Sequence, residues 1–129
     1  MSRIKEKDTS IEMEVRKYLY HHGFRYRKNV KELPGKPDIV LYKYRTVIFV
    51  NGCFWHHHPH CRLAYIPKSR TAYWMKKFND NMERDIEKQK KLESMDYKVI
   101  TVWECELKDC FDYRMQKLVE EILDGSYEK

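Results

Sequence analysis

Nine consecutive residues, Cys53-Phe54-Trp55-His56-His57-His58-Pro59-His60-Cys61, hold two thiols, four imidazoles and two large aromatics. Thiolate and imidazole are the donors that a tetrahedral zinc ion takes. A third thiol, Cys105, stands in Trp103-Glu104-Cys105-Glu106, just past a strand-like run. If that run pairs beside Thr46 to Val50, Cys53 and Cys105 leave the sheet at neighbouring ends. A Cys3His site then follows from Cys53, Cys61, Cys105 and one of His56, His58 or His60. Several donors in one short loop lower the entropy cost of assembling the site. Four protein ligands leave no position for water, so such a metal is structural, and the remaining histidines are free for chemistry. The plain alternative is free cysteines beside an exposed His-rich loop. In an intracellular chain, where disulfides are rare, cysteines in this pattern read better as ligands. Cys110 is the spare thiol.

A second set of residues could serve phosphoryl chemistry. Asp38 follows Gly35-Lys36-Pro37 and opens a strand. Pro37 fixes its own φ and helps hold that carboxylate at the strand end. A carboxylate with a main-chain carbonyl from the neighbouring strand end, such as that of Val50, can bind Mg2+ through oxygen. Such an ion polarises a phosphodiester and activates water. A nearby histidine can act as general base when a carboxylate fixes the tautomer from its other ring nitrogen. Each acid also has an ordinary reading. Pro-Asp at a strand start is common, Glu12 fits a helix cap, and Asp85 fits a paired acid near the core.

These residues need elements to position them. Thr9-Ser10-Ile11-Glu12 has the form of a capping box, and Ile11, Val15, Tyr18, Leu19 and His22 recur at helical spacing before Gly23 stops the helix. Leu33 to Pro37 is rich in turn formers. Residues 38–42 and 46–50 read as strands joined by a hairpin through residues 43–45. Both are apolar on successive residues, so the sheet is expected to be covered on both faces. Thr71 is expected to cap a long helix from about Tyr73 to Glu93, with an apolar stripe of Met75, Phe78, Met82, Ile86 and Leu92. Asp85 falls at the edge of that stripe. Residues 98–103 read as a third strand. Leu118, Val119, Ile122 and Leu123 mark a last helix ended by Gly125. The order α-β-β-α-β-α predicts an α/β fold with a mixed central sheet flanked by helices.

The chain has 129 residues, which fits a single domain spanning 1–129, with residues 1–8 as a charged, flexible N-terminal arm. Hydrophobic residues make up 42%, enough for a core, while charged residues reach 36% and mean hydropathy is −0.84. Lys and Arg outnumber Asp and Glu by 26 to 20, giving +6 and a pI near 9.1. That balance favours a polyanionic partner, nucleic acid first. No apolar run is long enough to span a bilayer and no signal peptide opens the chain, so an intracellular protein is expected.

Three segments carry a family resemblance: Leu33-Pro34-Gly35-Lys36-Pro37-Asp38, then Val47 to His56, then Trp103-Glu104-Cys105-Glu106-Leu107. In order and spacing they resemble the very short patch repair DNA mismatch endonucleases, over about Ser2 to Leu107. The resemblance implies a fold similar to type II restriction enzymes, in the PD-D/E-x-K nuclease superfamily, with a structural zinc. It implies a Mg2+-dependent enzyme that nicks 5′ of the thymine in a T·G mismatch left by deamination of 5-methylcytosine. It assigns Asp38 as Mg2+ ligand, Val50 as the position whose main-chain carbonyl lies near that metal, His56 as general base, Asp85 as the acid that orients it, and Glu12 as a catalytic-site glutamate. Cys53, His58, Cys61 and Cys105 match the zinc ligands. Phe54, Trp55 and Trp74 match aromatics that wedge into the duplex, where a mismatched pair unstacks most cheaply.

This sequence departs from the pattern at Asn51, where family members usually carry a histidine near the phosphate. Asparagine can hydrogen-bond there but cannot carry a proton, which bears on rate more than on reaction type. The other readings are a zinc-stabilised DNA-binding member without catalysis and a nuclease of the same superfamily with another substrate. Phosphate contacts are expected among Arg16, Lys17, Arg25, Arg27, Lys28, Lys68, Arg70, Lys76 and Lys77. The expected partners are double-stranded DNA and mismatch-repair proteins, with no membrane. The expected form is a monomer in the bacterial cytoplasm, associated with the nucleoid.

Overall fold

The computed structural model describes residues 10–54, 56, 58 and 61–124. Helix α1 (Ser10–His21) leads to strand β1 (Arg27–Lys28), then β2 (Ile39–Leu41) and β3 (Thr46–Asn51). Helix α2 (Thr71–Ser94) crosses over to β4 (Lys98–Trp103), and α3 (Glu104–Asp109) and α4 (Phe111–Asp124) follow. The sheet order is β1-β2-β3-β4, antiparallel except for the parallel β3–β4 pair. This is the expected mixed sheet flanked by helices, with two additions. The two-residue β1 and the six-residue α3 are too short to leave a periodic trace.

Alternating side chains split the core into two layers. Ile39, Leu41, Ile48, Val50, Ile100 and Val102 face Val15 and Leu19 of α1 and Met115, Leu118 and Ile122 of α4. Val40, Val47 and Phe49 face the other way, against Leu92 of α2 with Val30, Leu33 and Tyr97. The sheet is therefore covered on both faces, which explains its unbroken apolar runs. At the end of α1, Gly23 has φ +87°, and the Phe24 N–H reaches the Leu19 carbonyl at 3.0 Å. A residue without Cβ takes that left-handed turn without strain. The capping residue expected at Thr9, the N-terminal arm and the stop expected at Gly125 lie outside the described residues.

Three local expectations change. The hairpin from β2 to β3 holds, but Tyr42 leaves the strand for a 3-10 turn over Tyr42–Tyr44, closed by Arg45 with φ 49°. Helix α2 begins at Thr71 itself, with Arg70 as its left-handed N-cap. The Thr71 hydroxyl donates back to the carbonyls of Pro67 and Lys68, so it fastens the preceding loop rather than capping the helix. The third change concerns the face of α2. Met75, Met82 and Ile86 are exposed, Ile86 by 55%. The inward residues are Trp74, Phe78, Asn81, Asp85, Lys88 and Leu92, buried or half-buried at spacings of four and three. Hydrophobicity points to the neighbouring face because the inward stripe is polar at its centre.

The β3–β4 register sets the geometry of everything that follows. Asn51 lies opposite Trp103, so both chains leave the sheet at the same end and in the same direction. Cys53 and Cys105 each follow two residues later.

Candidate active site and metal centre

Beyond β3 the chain winds into a tight turn. The His56 N–H donates to the Gly52 carbonyl at 3.2 Å and the His58 N–H to the Cys53 carbonyl at 3.0 Å. This turn folds His58 back onto Cys53. The His58 Nδ1 lies 3.6 Å from the Cys53 sulfur and 3.5 Å from the Cys105 sulfur. Donor atoms of Cys53, His58, Cys61 and Cys105 all lie within 4.8 Å of one another. With metal–sulfur bonds of about 2.3 Å and metal–nitrogen bonds of about 2.0 Å, a tetrahedral site has edges of roughly 3.5 to 3.8 Å. The set therefore fits a zinc-sized ion. All four thiols are free, and Cys110 is exposed and outside the group. The structure brings His58 into the group, while His57 and His60 lie outside the described residues.

The same crowding bears on how these thiols ionise. Burial and the neighbouring thiols push the Cys53 thiol far above its usual range. Burial pushes Cys105 up as well. Burial opposes ionisation of Cys61 too, but the Leu63 N–H and the two neighbouring thiols outweigh it and hold Cys61 low. Several thiolates in so small a space are stable only around a positive ion.

A polar frame that sequence reasoning missed holds this centre. Glu104 Oε1 accepts the Cys53 N–H at 3.2 Å, and its Oε2 meets Lys108 at 3.0 Å. Glu106 Oε1 accepts the Trp103 N–H at 2.9 Å and so caps α3. Buried Arg114 of α4 binds Glu106, Glu121 and the Thr101 carbonyl. Trp103 lies flat on His58, ring centroids 4.0 Å apart and planes within 6°. The signal was present in the Trp-Glu-Cys-Glu run, where both acids flank a ligand cysteine.

The acidic set assembles beside this centre. The Val50 N–H donates to Asp38 Oδ2 at 2.7 Å. Val50 and Asp38 are thus adjacent, with the amide, not the carbonyl, making the direct contact. Burial raises the Asp38 carboxyl to about 7, and the charge of Glu12 adds to this, against the Val50 N–H and the charges of Lys88 and His56. Glu12 of α1 is buried and pairs with Arg16 at 3.6 Å. Two carboxylates at a buried strand end suit a hard dication that keeps most of its waters. Asn51 is buried at the last position of β3, next to Val50.

His56 Nδ1 lies 2.7 Å from Asp85 Oδ2. Partial burial would raise the Asp85 carboxyl, but the His56 ring and the charge of Lys88 outweigh burial and hold it below its usual range. An ionised carboxylate only accepts, so Nδ1 donates in this bond, and in the neutral ring it is then Nε2 that carries the lone pair. That is the tautomer of a general base.

The aromatics form a wall along α2. Phe54, only 8% exposed, is ringed by Tyr65, Trp74 and Phe78 at centroid distances of 5.1, 5.4 and 5.3 Å. Phe54 is thus a packed member of this cluster rather than a projecting one; Trp74 is half-buried, and Trp55 lies outside the described residues. Among the cations expected on phosphates, Arg16 is instead buried with Glu12. Lys17, Arg25, Arg27, Lys28, Lys68, Arg70 and Lys76 are exposed. Among the described residues, no helix is long and apolar enough to cross a membrane.

Comparison with known proteins agrees with this geometry. A family model described as DNA mismatch endonuclease Vsr matches residues 1–63. The chain is 52% identical over 128 residues to the type II nicking enzyme V.NmeAIP of Neisseria meningitidis, covering 97% of this chain and 90% of that protein. It is 40% identical over 129 residues to the DNA mismatch endonuclease Vsr of Escherichia coli, covering 100% and 79%. It is 45% identical over 109 residues to the type II nicking enzyme V.XorIIP of Xanthomonas oryzae, covering 84% and 79%. Identity of this depth across nearly the whole length settles kinship: the chain belongs to the Vsr family and is a DNA endonuclease.

Proposed function

We propose that this endonuclease nicks one strand of duplex DNA 5′ of the thymine in a T·G mismatch, using Mg2+, with zinc as a structural ion. The observation that carries the reading is the His56–Asp85 hydrogen bond set beside half-buried Asp38. Mg2+, when bound, would polarise the scissile phosphodiester and offset its charge. The chain's own residues do the rest. Asp38 and Glu12 supply oxygen donors for that ion, with the Val50 carbonyl as a further one. His56 Nε2 takes a proton from the attacking water, and Asp85 holds the ring in the accepting tautomer. Asn51 hydrogen-bonds the phosphate region.

Cys53, His58, Cys61 and Cys105 hold the zinc that fixes the turn carrying His56. Trp55 and Trp74 wedge beside the mismatch, and the rings packed around buried Phe54 give that wedge a rigid base. Arg27, Lys28 and Lys31, along a shallow groove at the β1 edge, suit sequence-independent phosphate contacts. Sequence preference would come from deformability and the wedge. The enzyme works in the bacterial cytoplasm as a monomer on the nucleoid, alongside mismatch-repair proteins.

The test is a nicking assay on end-labelled duplexes, one set carrying T·G in a pool of flanking contexts and one fully paired, in Mg2+ and in EDTA. Mg2+-dependent nicking 5′ of the mismatched thymine supports the reading. Nicking of both sets would replace it with a strand-nicking enzyme of another specificity, as the names of several relatives suggest. Binding without nicking would make this a catalytically impaired member.

A further inference from the structure

Lys88 stands among the acids of the candidate site, although nothing in its position along the sequence marks it. It belongs to the inward stripe of α2 and its side chain is only 24% exposed. Its Nζ lies 3.1 Å from Asp85 Oδ1, while the other oxygen of the same carboxylate holds His56. Each oxygen of Asp85 thus has its own partner, which leaves the carboxylate little freedom to rotate. The ammonium also sits 4.9 Å over the ring of Phe49, one residue before the amide that binds Asp38.

The turn before Asp38 makes room for this lysine. A Cβ built on Gly35 would come within 2.3 Å of the Lys88 Cδ and 2.9 Å of its Cβ. Gly35 also has φ +75°, so backbone geometry and space both require glycine there. The stem of Lys88 is therefore threaded between α2, the turn over residues 33–37 and β3. A solvent-facing i,i+3 pair would not be packed in this way, and its ammonium would be free to swing into water. The charge of Lys88 also reaches Asp38, where it favours the ionised carboxylate. An ammonium has three donors, and Asp85 occupies one of them.

We infer that Lys88 is a further active-site residue, which fixes Asp85 through the oxygen that His56 leaves and turns its remaining donors toward the DNA phosphate held at Asp38. The inference rests on the proposed nicking function. It assigns two duties to one cation. As a positioning residue it keeps the His56 ring aimed. As a phosphate contact it adds positive charge where negative charge builds up during cleavage, a role worth more in a partly dry site than on the surface.

The experiment compares the full-length zinc-loaded protein with Lys88→Met, Lys88→Arg and Asp38→Ala in steady-state and single-turnover nicking of the T·G duplex, with melting temperature alongside. Lys88→Met keeps the stem and removes only the charge. It is expected to lower kcat on the order of 10- to 100-fold with KM within about threefold and melting nearly unchanged. Lys88→Arg should recover a large part of that loss. If Lys88→Met nicks like wild type, or loses only KM, the lysine is a surface charge and the inference falls. If Lys88→Arg is as impaired as Lys88→Met, charge is not what matters and the inference likewise falls. Failure of wild type itself to nick, or full activity of Asp38→Ala, would instead overturn the underlying reading of the site.

Discussion

Trp103 lies face to face with His58, with ring centroids 4.0 Å apart and planes within 6°. One ring belongs to the end of β4 and the other to the turn after β3, so the stack closes the metal centre like a clasp. The imidazole is left with one orientation, with Nδ1 toward the sulfurs of Cys53 and Cys105. Trp103→Ala should weaken zinc retention on the order of 10- to 100-fold, the usual cost of losing a group that orients a ligand. Competition with a chromophoric chelator measures this. Trp103→Phe should retain most of the affinity.

Removing the ion should cost the fold as well. Cys53 and Cys105 anchor two segments that leave adjacent parallel strands, and without a cation their thiols crowd one another. Chelator treatment, or Cys53→Ser, should abolish cooperative thermal unfolding or lower its midpoint by more than about 10 °C. Cys110→Ser should behave as wild type, since Cys110 is exposed and apart from the group. Calorimetry with parallel metal analysis separates these outcomes.

Asp85→Asn should leave zinc content intact and lower the nicking rate on the order of 100- to 10,000-fold, because an amide oxygen cannot hold the His56 proton as a carboxylate does. The same carboxyl carries a pH signature. Its folded-state value is held below the ordinary one, so its stabilising effect is present above about pH 4 and is lost as pH falls further. The asparagine variant should lack that part of the acid transition.

Asp38 behaves oppositely. In the metal-free protein its carboxyl titrates at about 7, against an ordinary value of 3.8. Between those values the unfolded chain is ionised and the folded one holds the proton. Stability should therefore fall as pH rises from about 4 to 7 and then level off. Asp38→Asn should remove this slope and be more stable than wild type at pH 8, by no more than roughly 4 kcal/mol, while losing nicking. Proton and Mg2+ compete for the same oxygens, so Mg2+ affinity should weaken as pH drops below 7. Calorimetric titration at several pH values checks both.

The rotated face of α2 gives the fifth test. Leu92 is fully buried, so Leu92→Ala should cost about 2 to 5 kcal/mol in denaturant unfolding. Ile86→Glu, on the face that hydrophobicity alone assigns to the core, should stay within about 0.5 kcal/mol of wild type.

That helix also shows where the sequence could be read and where it could not. The strands around Val40, Ile48 and Ile100, the Gly23 stop and the cysteine set were legible because apolar runs, a left-handed turn and ligand types each leave a local mark. Pairing of β3 with β4 was the condition for a metal centre, and it holds. The inward stripe of α2 was not legible, because polar Asn81, Asp85 and Lys88 occupy its half-buried positions, where hydrophobicity leaves no signal. Glu104 gains its meaning from Cys53, and Lys88 from Gly35 and Phe49 as well as from nearby Asp85, contacts that only the fold brings together. Phe54 looked like a tool from its company in the sequence, and its packing against Phe78 needed three dimensions to appear.

Asp85 follows Phe78 on α2 by about two turns of helix, roughly 10 Å along its axis. Helix α2 is therefore a ruler, with the aromatic wall at one mark and the His56 partner at the other. A single inserted residue would twist one mark from the other by about 100°, and no side-chain change could restore the alignment. Lineages built on this scaffold are free to exchange residues along the outer face of the ruler. Its length is closed to them, so new preferences in DNA must arise by substitution rather than by insertion here.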